Sequence, residues 1–433
     1  MKFKKNNINI AIIGLGQIGN YLFNEINKKK EEIELKTGKK INIAAISAKN
    51  INKKRKFKID KKIFFKDPLK IFEKKKIDIL FEIIGLSGGI SKKIVETALK
   101  NKIHVITPNK ALMAKHGDHL TKLAEKNKVN LEFEASVGGG IPILRTIKEG
   151  LATNKISKVY GILNGTSNYI LSEMENSDES FNNVLKKAQS LGYAEPGNPK
   201  PDINGADAFA KVRILSSLSF GTKISKKSGL VEGIEKIELK DIRIANQLDL
   251  RIKLLGISEL KNNQLFETVH PCLVSKKSYI GNVNGVMNAV IIEGKPVGES
   301  ILQGEGAGPG PTSSALLSDL LSILRGNIKR PFGVSASKLK TLKPYNSNNY
   351  VNSLYLRFEV KDKPGVLSQI TNRLAKYKIS IKRIIQTPDK KNNKATIVII
   401  SHKTTELNCN NCLSIFKNNK NILKNPTLIR LLD

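Results

Sequence analysis

Near its amino end the chain reads Ile8-Asn9-Ile10-Ala11-Ile12-Ile13-Gly14-Leu15-Gly16-Gln17-Ile18-Gly19. The apolar run predicts a buried strand, and the glycine-rich stretch after it predicts a tight turn into a helix. Glycine lets the backbone approach a pyrophosphate closely, and the amino terminus of a helix stabilises the negative charge of that group. The pattern therefore indicates a dinucleotide-binding loop made of Gly14, Leu15, Gly16, Gln17, Ile18 and Gly19. The alternative is an ordinary strand-to-helix turn.

Short apolar runs continue to alternate with amphipathic stretches as far as about residue 140. We predict strands at residues 8–13, 41–47, 77–84, 103–107 and 130–136, and helices at residues 18–29, 90–101 and 111–126. This order is typical of a doubly wound α/β domain of the Rossmann type, here covering residues 1–140. The less regular residues 141–330 predict an α+β substrate domain, residues 331–350 a linker, and residues 351–433 a small third domain.

The composition of the 433-residue chain fits a globular protein and limits its partners. Hydrophobic residues make up 40% and charged residues 26%, which allows a sizeable core. The net charge of +36 comes from 74 Lys and Arg residues, of which only 11 are Arg, spread through every segment. Because Trp is absent and Arg is scarce, we expect no nucleic-acid partner. The excess positive charge instead favours anionic small molecules.

The sequence lacks the features that are typical of a membrane or exported protein. No run approaches the ~20 consecutive apolar residues of a membrane span, so we expect no membrane partner. The apolar run at residues 8–13 is too short for the core of a signal peptide, and three cysteines are too few for a disulfide framework. We therefore expect a cytoplasmic protein.

The residues after the second predicted strand bear on which dinucleotide is bound. An NAD site normally has an acidic residue about 20 positions after the glycines, where it holds the ribose 2′-hydroxyl. Here no Asp or Glu occurs between Glu34 and Asp60, and that interval contains the cations Lys49, Lys53, Lys54 and Arg55. Cations suit a 2′-phosphate, so we predict NADP, with NAD as the alternative if these lysines only reflect the composition of the whole chain.

Two lysines stand out by position as candidates for proton transfer. Lys110 follows a predicted strand, at the carboxyl edge of the sheet where ligands bind in such folds. Lys211 lies four residues after Asp207, one helical turn away, so that the carboxylate can orient its ammonium group. By itself, each lysine would be assigned to the solvated surface.

Long motifs from residue 107 to residue 312 carry a resemblance to a known family. They are TPNKA at 107–111, EASVGGGIP at 134–142, GILNGTSNYIL at 161–171, GYAEP at 192–196, DINGADAFAK at 202–211 and GEGAGPGPT at 304–312. In these motifs and their order, residues 8 to about 325 resemble homoserine dehydrogenase of the monofunctional bacterial type. One departure is the longer stretch 196–201, whose path the resemblance does not give.

The resemblance implies the reversible reduction of L-aspartate 4-semialdehyde to L-homoserine with NAD(P)H. It implies that Lys211 donates or accepts the proton and that Lys110 contacts both cofactor and substrate. It also implies that Glu195 and Asp207 hold the amino group of the substrate and orient the lysine. Two ammonium groups facing one pocket are expected to lower each other's pKa toward the working pH.

The remaining site residues follow from the same resemblance. Thr107 is expected beside the cofactor, and Gly306 and Gly308 match a glycine loop that returns to it, so the end of the substrate domain is expected to fold back onto the first domain. A monovalent cation, usually Na⁺, is implied, bound largely through backbone carbonyls, since a hard ion prefers oxygen ligands. The residues that match this cation site are Glu134, Val137, Gly139 and Ile141.

Residues 354–370 alternate as a strand and then turn into a helix, and they resemble the ACT domain. That ferredoxin-like module binds amino acids, often at a dimer interface. The turn at 362–367 is expected to present backbone amides to the carboxylate of an effector. The resemblance implies threonine as effector, feedback regulation in the synthesis of threonine and methionine, and a homo-oligomer, either dimer or tetramer. The alternative is an ACT module that serves assembly only.

Other functions make different demands on the sequence. A phosphorylating semialdehyde dehydrogenase needs a nucleophilic cysteine, and Cys272 lies in no recognised active-site pattern. A non-catalytic amino-acid sensor has no use for Lys110 and Lys211 together, and a nucleic-acid binder has a steeply salt-dependent affinity. We expect Cys409 and Cys412 to be incidental. We also expect no fusion to aspartate kinase, because no such region precedes the first predicted strand.

Overall fold

The computed structural model describes residues 6–51, 55, 57, 59–225, 229–389, 391–416 and 419–432. Within these residues the strands form a six-stranded sheet, an eleven-stranded sheet and one short pair. Lys53 and Lys54, which we predicted near the cofactor phosphate, lie outside the described residues.

The first sheet is parallel throughout and is flanked by helices. Its strands are β1 (Asn7–Ile13), β2 (Lys40–Ser47), β3 (Phe64–Phe65), β4 (Ile79–Glu82), β5 (His104–Ile106) and β6 (Leu131–Glu132). The helices are α1 (Gln17–Lys28), α2 (Lys30–Thr37), α3 (Ile71–Lys74), α4 (Gly89–Lys100) and α5 (Lys110–Asn127). The strand order β3-β2-β1-β4-β5-β6 places the topological switch point between β1 and β4, which confirms the predicted Rossmann-type fold.

The central strand β1 shows why this sequence forms a buried parallel sheet. Ile8, Ile10 and Ile12 pack into one hydrophobic core, while Ala11 and Ile13 pack into the core on the opposite face. Because side chains alternate between the faces of a strand, an unbroken apolar run suits a strand that helices cover on both sides.

Three elements of this domain differ from the prediction. The predicted strand at 130–136 stops at Glu132, because Glu134–Ser136 forms a 3-10 turn. Helix α2 was not predicted, since its sequence KEEIELKT buries only Ile33 and so has little apolar periodicity. The two-residue strand β3 is too short to show an alternating pattern.

The second region adds helices and a long antiparallel sheet. Its helices are α6 (Ile143–Arg145), α7 (Gly165–Ser177), α8 (Phe181–Ser190), α9 (Lys200–Ile203), α10 (Ala206–Phe220), α11 (Leu239–Gln247) and α12 (Pro309–Leu324). Its strands are β7 (Lys155–Ile162), β8 (Leu230–Val231), β9 (Leu250–Lys261), β10 (Gln264–Ser275), β11 (Met287–Lys295) and β12 (Gly298–Glu305). Helix α10 packs against β9 and β10, while α12 returns to the first domain, where Leu316 and Leu320 join the core that contains β1 and α1.

The third domain has a βαββαβ order with a ferredoxin-like sheet. Its elements are β15 (Leu354–Lys361), α13 (Val366–Lys376), β16 (Ile381–Asp389), β17 (Lys394–Ser401), α14 (Glu406–Phe416) and β19 (Thr427–Leu431), with β14 (Val351–Asn352) paired to β18 (Thr404–Thr405). Strand β19 also pairs in parallel with β10, so the eleven-stranded sheet runs through both the second and third domains. Arg430 on β19 is 1% exposed and is bound by Glu406 and by Glu232 of the second region.

Residues 331–350, which we expected to be a linker, lie against the substrate domain. Phe332 is fully buried and its ring contacts that of Phe133. The backbone of Lys340 exchanges hydrogen bonds with residues 221–223, and β13 (Lys343–Pro344) pairs with β10. The connection between the second and third domains is therefore held at several points.

The described residues form neither a membrane-spanning helix nor a cluster of metal-binding side chains. In the described ranges, every helix is too short or too polar to cross a bilayer. The same ranges contain no group of three or more His, Cys, Asp or Glu side chains placed to hold a metal. Cys409 and Cys412 are buried, unpaired members of the core of the third domain.

Candidate active site

A cavity of about 650 Å³ lies at the carboxyl edge of the first sheet. Ile18 at the start of α1 and the loops after β4, β5 and β6 line one side of it, as expected for a doubly wound fold. Helices α7, α9 and α10 and the returning loop 305–308 close the other side. The cavity thus lies between the predicted dinucleotide-binding and substrate domains.

Asp207 joins the two predicted catalytic lysines on the cavity wall. Its Oδ1 lies 2.7 Å from Nζ of Lys110, and its Oδ2 lies 2.8 Å from Nζ of Lys211. Lys211 is 7% exposed and also donates a hydrogen bond of 2.6 Å to the carbonyl oxygen of Leu163, whereas the side chain of Lys110 is 42% exposed. The structure therefore brings together the three residues that we predicted to be catalytic.

Burial and charge set the protonation of this group. Burial would raise the pKa of Asp207, but Lys211 and Lys110 hold the pKa of this carboxyl well below its usual value. Burial lowers the pKa of Lys211, and the positive charge of Lys110 adds to that effect. The pKa of Lys110 is raised, chiefly by the charge of Asp207. The expectation that each lysine lowers the pKa of the other is therefore wrong for Lys110, because its contact with Asp207 dominates.

Two residues that we did not single out complete this wall. Asp202 on α9 lines the cavity, and its pKa is raised by burial, with the charge of Asp207 adding to the shift. Asn164 precedes α7 and donates hydrogen bonds from Nδ2 to Asp202 at 2.8 Å and to Asp207 at 3.0 Å. The sequence did contain a signal for Asn164, because Asn is a favoured N-cap residue at the start of a helix. In the structure its side chain accepts a hydrogen bond from the backbone of Ser167, three residues further on.

The position of Lys110 depends on a buried polar cluster behind it. Glu82, at the end of β4, accepts hydrogen bonds from the Thr107 hydroxyl at 2.7 Å and from the Asn109 amide at 3.3 Å. Asn109 in turn caps α5, which Lys110 begins. Thr107, which we predicted beside the cofactor, is fully buried and does not line the cavity. It therefore supports the loop after β5 from the side away from the cavity.

The glycine loop between β1 and α1 has the geometry of a tight turn. Gly14 has φ of +105°, and a Cβ atom there would lie 2.5 Å from the carbonyl oxygen of Ile83. A Cβ atom on Gly19 would lie 2.0 Å from the carbonyl oxygen of Gly14, whereas Gly16 faces open space. Ile18 lines the cavity, Gln17 is exposed, and the Leu15 side chain is buried in the core. Gly14 and Gly19 thus shape the turn, and Gly16 leaves room beside it.

The returning glycines complete the far side of the cavity. Gly306 and Gly308 both line it, and Gly308 has φ of +111° immediately before α12. A Cβ atom on Gly306 would lie 2.1 Å from the Asn288 amide, so only glycine fits there without a shift. Both residues lie where we predicted a loop beside the cofactor.

Besides Thr107 and the loop residues Gly14, Leu15, Gly16, Gln17 and Gly19, the predicted contact residues Glu195 and Lys49 lie outside the cavity lining. Glu195 is exposed in the loop after α8, although Gly192 and Tyr193 of the same loop do line the cavity. Lys49 is exposed just beyond the end of β2.

The residues of the predicted cation site form a buried turn between the first two domains. Glu134 is 3% exposed, and its Oε1 accepts a hydrogen bond of 2.8 Å from the backbone of Leu144. Its Oε2 is buried without a hydrogen-bond partner among the described residues, and burial raises the pKa of this carboxyl. Val137 and Ile141 are buried beside it, and Gly139 has φ of +54°. An unpartnered carboxylate oxygen fits the ligand preference of a hard cation, although the positive charges of Lys148 and Arg145 also act on this carboxylate.

Cys272 lies 3.2 Å from Nδ1 of His270, but it is buried away from the cavity. It is 1% exposed on β10, and burial raises the pKa of its thiol to about 12. Because the thiolate is the nucleophile, the structure gives no support to a cysteine-dependent semialdehyde dehydrogenase.

A Rossmann-type domain, a glycine turn and a lysine–carboxylate–lysine group in one cavity define a dinucleotide-dependent oxidoreductase. Models of protein families match the three parts of the chain: the NAD-binding domain of homoserine dehydrogenase at residues 14–134, homoserine dehydrogenase at 142–321 and the ACT domain at 354–408. The chain belongs to the homoserine dehydrogenase family of NAD(P)-dependent oxidoreductases, which confirms the predicted family and the ACT domain.

Full-length relatives agree with this assignment. The chain is 38% identical over 432 residues to homoserine dehydrogenase of Neisseria gonorrhoeae, with 98% of each chain covered. It is 37% identical over 427 residues to the Helicobacter pylori homoserine dehydrogenase, with 99% of each covered. Its fold matches the crystal structure of homoserine dehydrogenase from Thiobacillus denitrificans with a TM-score of 0.90 at 34% identity, covering 99% of this chain and 98% of that one.

Proposed function

We propose that the cavity catalyses the reversible reduction of L-aspartate 4-semialdehyde to L-homoserine, as a step in the synthesis of threonine and methionine. The observation that carries this proposal is the placement of Asp207 between Lys110 and Lys211 on the wall facing the cofactor loops. A carbonyl reduction requires a proton donor beside the reacting oxygen, and Lys211 is the buried ammonium group at this wall.

The two lysines have different roles. When bound, the reduced nicotinamide supplies the hydride that is added to the aldehyde carbon. Lys211 gives its proton to the aldehyde oxygen, and in the reverse direction its neutral amine takes the proton from the hydroxyl group. Lys110, whose pKa is raised, remains an ammonium group and binds anionic parts of the substrate and cofactor.

The ammonium group of the substrate requires carboxylate partners. Asp207 and Asp202 both line the cavity and can accept hydrogen bonds from it. Glu195 remains part of the proposal, since Gly192 and Tyr193 of the same loop line the cavity, but its exposed side chain would have to turn toward the cavity to contact the substrate.

We assign NADP as the preferred dinucleotide, with NAD as the alternative. Among the described residues between Glu34 and Asp60, no acidic side chain competes for the ribose 2′-hydroxyl, and Lys49 lies at the end of β2. Gly16 leaves open space before the first turn of α1, where the pyrophosphate meets the helix amino terminus.

A monovalent cation, Na⁺ in our proposal, would be held by Glu134 together with backbone carbonyls of Val137, Gly139 and Ile141. The unpartnered Oε2 atom of Glu134 supports this assignment. The cation would brace the turn that leads from β6 into the substrate domain. We expect added NaCl to raise the thermal unfolding midpoint more than choline chloride of equal ionic strength does, and Glu134→Gln to remove the difference; equal midpoints in the wild-type protein would contradict the assignment.

The ACT domain is proposed to bind threonine as a feedback inhibitor. A groove of about 410 Å³ lies at the turn from β15 to α13, between residues 360–367 and Gln386. Gly365, with φ of +86°, directs the backbone into α13, whose amino terminus suits a carboxylate. Threonine should lower the rate of the wild-type enzyme, and failure of threonine to bind or inhibit would favour the alternative role in assembly.

We further propose a cytoplasmic homo-oligomer, either a dimer or a tetramer. A groove of about 270 Å³ between β11, β12 and residues 277–283 is bordered by the exposed side chains of Tyr279 and Ile301. Exposed apolar side chains around a groove are typical of a subunit contact. Sedimentation of the purified protein would give the number of subunits, and a monomer at all concentrations would contradict this proposal.

The reaction itself is tested by absorbance of the reduced nicotinamide during oxidation of L-homoserine. NADP and NAD are supplied separately, and Lys211→Met is compared with Lys122→Met, which alters an exposed lysine on α5. We expect Lys211→Met to lower kcat by about 10²–10⁴-fold, the usual contribution of general acid–base catalysis, while Lys122→Met is unaffected. Equal turnover in both variants would overturn the role of Lys211.

A further inference from the structure

Both the oxygen and the NH₂ group of the Asn164 side chain form hydrogen bonds in the cavity wall that carries Asp207 and Lys211. The residue is 5% exposed, and its Oδ1 accepts a hydrogen bond of 2.8 Å from the backbone of Ser167 at the start of α7. Its Nδ2 donates to Oδ1 of Asp202 at 2.8 Å and to Oδ2 of Asp207 at 3.0 Å. Since carboxylates accept and the backbone N–H donates, only one orientation of the amide satisfies all three contacts.

The two carboxylates that share this amide come from different elements. Asp202 lies on α9 and Asp207 on α10, and burial together with the charge of Asp207 raises the pKa of Asp202. Two like charges at one buried site tend to capture a proton between them. The NH₂ group of Asn164 lies between the carboxylates and donates a hydrogen bond to each one. Because an amide does not titrate, these donor hydrogen atoms are present at every pH.

The same carboxylate oxygen serves Lys211. Oδ2 of Asp207 accepts from Asn164 and also lies 2.8 Å from Nζ of Lys211. The carbonyl of Leu163, the residue before Asn164, accepts the second hydrogen bond of that ammonium group. One dipeptide, residues 163–164, thus holds both members of the Asp207–Lys211 pair.

We propose that Asn164 is a positioning residue that keeps Asp207 directed at Lys211, and thereby sets the pH range over which Lys211 transfers its proton. The inference rests on the proposed role of Lys211. The charged groups that face this pair are Asp202 on α9, Lys110 on α5, and Asp207 and Lys211 themselves on α10.

Two substitutions separate this role from that of a helix cap. Asn164→Asp and Asn164→Ser both retain an N-cap oxygen for α7 and both remove the amide donors. Only Asn164→Asp adds a further carboxyl group beside Asp207. The matched control is Asn346→Asp, since Asn346 is exposed and caps a turn that does not line the cavity. Steady-state reduction and the pH profile of kcat are measured for each, with thermal unfolding as a check of folding.

We expect both Asn164 variants to lose kcat, by about 10-fold or more since both disturb a proton-transfer group. In Asn164→Ser the alkaline limb of the reductive profile should lie at lower pH than in the wild type, because an Asp207 that is no longer held against Lys211 favours the ammonium form of Lys211 less. In Asn164→Asp a third carboxyl group joins the same buried site and should capture a proton, so its profile reports the loss of the amide together with that added proton. The Asn346→Asp profile should match the wild type.

A wild-type pH profile in Asn164→Ser would overturn the inference, and so would a wild-type rate in Asn164→Ser. Both criteria also decide the question if Asn164→Asp is inactive or unfolded. Lys211→Met is measured alongside: wild-type turnover in that variant would show that the proposed role of Lys211 has failed. Loss of turnover there, combined with wild-type behaviour at position 164, would show that only the present inference has failed.

Discussion

Arg357 of the ACT domain binds Asp241 of the substrate domain through a two-point ion pair. Nε of Arg357 donates to Oδ1 at 2.6 Å, and Nη2 donates to Oδ2 at 3.0 Å. Asp241 is fully buried and Arg357 is 3% exposed, and the hydroxyl of Tyr355 adds a third hydrogen bond to Oδ1. Bidentate guanidinium–carboxylate pairs have fixed geometry, so this contact orients the ACT domain on α11.

Removing the buried carboxylate should be costly. Asp241→Asn removes the two-point carboxylate partner of Arg357, while Glu359 at 2.7 Å and Glu238 at 3.3 Å still face the guanidinium. We therefore expect a loss of about 1.5–3 kcal/mol in the free energy of unfolding. The lowered unfolding midpoint is measured by thermal or urea denaturation. Asp178→Asn is the control, because it breaks an exposed ion pair with Arg243, also on α11, and should leave the midpoint unchanged. Equal midpoints for the two variants would contradict the prediction.

The rate of aldehyde reduction should fall as the pH rises through the pKa of Lys211. Reduction requires the ammonium form, and burial places the pKa of Lys211 below its ordinary value of 10.5. Homoserine oxidation requires the neutral amine and should rise over the same interval. Lys110→Met removes a positive charge that lowers the pKa of Lys211, so its alkaline limb should move to higher pH. A limb that stays in place or moves to lower pH would rule out this coupling; the measurement is kcat against pH in both directions.

Two glycines of the β1–α1 turn should respond differently to alanine. At Gly19 a Cβ atom would lie 2.0 Å from the carbonyl oxygen of Gly14, so Gly19→Ala should lower the unfolding midpoint. At Gly16 nothing lies within 4 Å and φ is −76°, so Gly16→Ala should fold normally. It should nevertheless bind NADPH more weakly, by about 10-fold, because the methyl group occupies space beside the helix amino terminus that receives the pyrophosphate. Fluorescence titration and thermal unfolding test both; unchanged NADPH affinity in Gly16→Ala would remove that loop from the cofactor site.

Lys49→Ala should change the choice of dinucleotide. If Lys49 binds the 2′-phosphate, kcat/KM for NADP should fall by about 10-fold, or 1.4 kcal/mol, while the value for NAD stays the same. Lys122→Ala, at an exposed position on α5, controls for the loss of one positive charge. A parallel decrease with both dinucleotides would mean that Lys49 acts on net charge alone.

Elements whose sequence pattern lies within a few residues could be predicted from the sequence alone. The apolar run of β1, the glycine turn and the one-turn spacing of Asp207 and Lys211 are all readable within a few residues, and the structure has them as predicted. Asp202 and Asn164 were missed because their contact joins residues 38 positions apart, which periodicity does not report. The hydrogen bond between Glu82 and Thr107, which are 25 positions apart, was missed for the same reason. The exposure of Glu195 depends on how the loop after α8 is packed, and the resemblance gave no path for the residues that follow it.

The parallel pairing of β10 with β19 has a consequence for how this protein can change over evolutionary time. Besides its side-chain ion pairs, the junction contains main-chain hydrogen bonds, such as that from the Leu432 amide to the Leu273 carbonyl, and these survive most exchanges of side chains. Gradual drift in sequence can remove the ion pairs between the two domains, but it leaves these main-chain bonds in place. Outright deletion of the ACT domain would uncover the edge of β10 at Cys272 and Leu273, beside the parts that β8 and β13 cover, and a bare strand edge is a template for pairing with other chains. A descendant that discards the ACT domain must first acquire a new cover for that part of the strand.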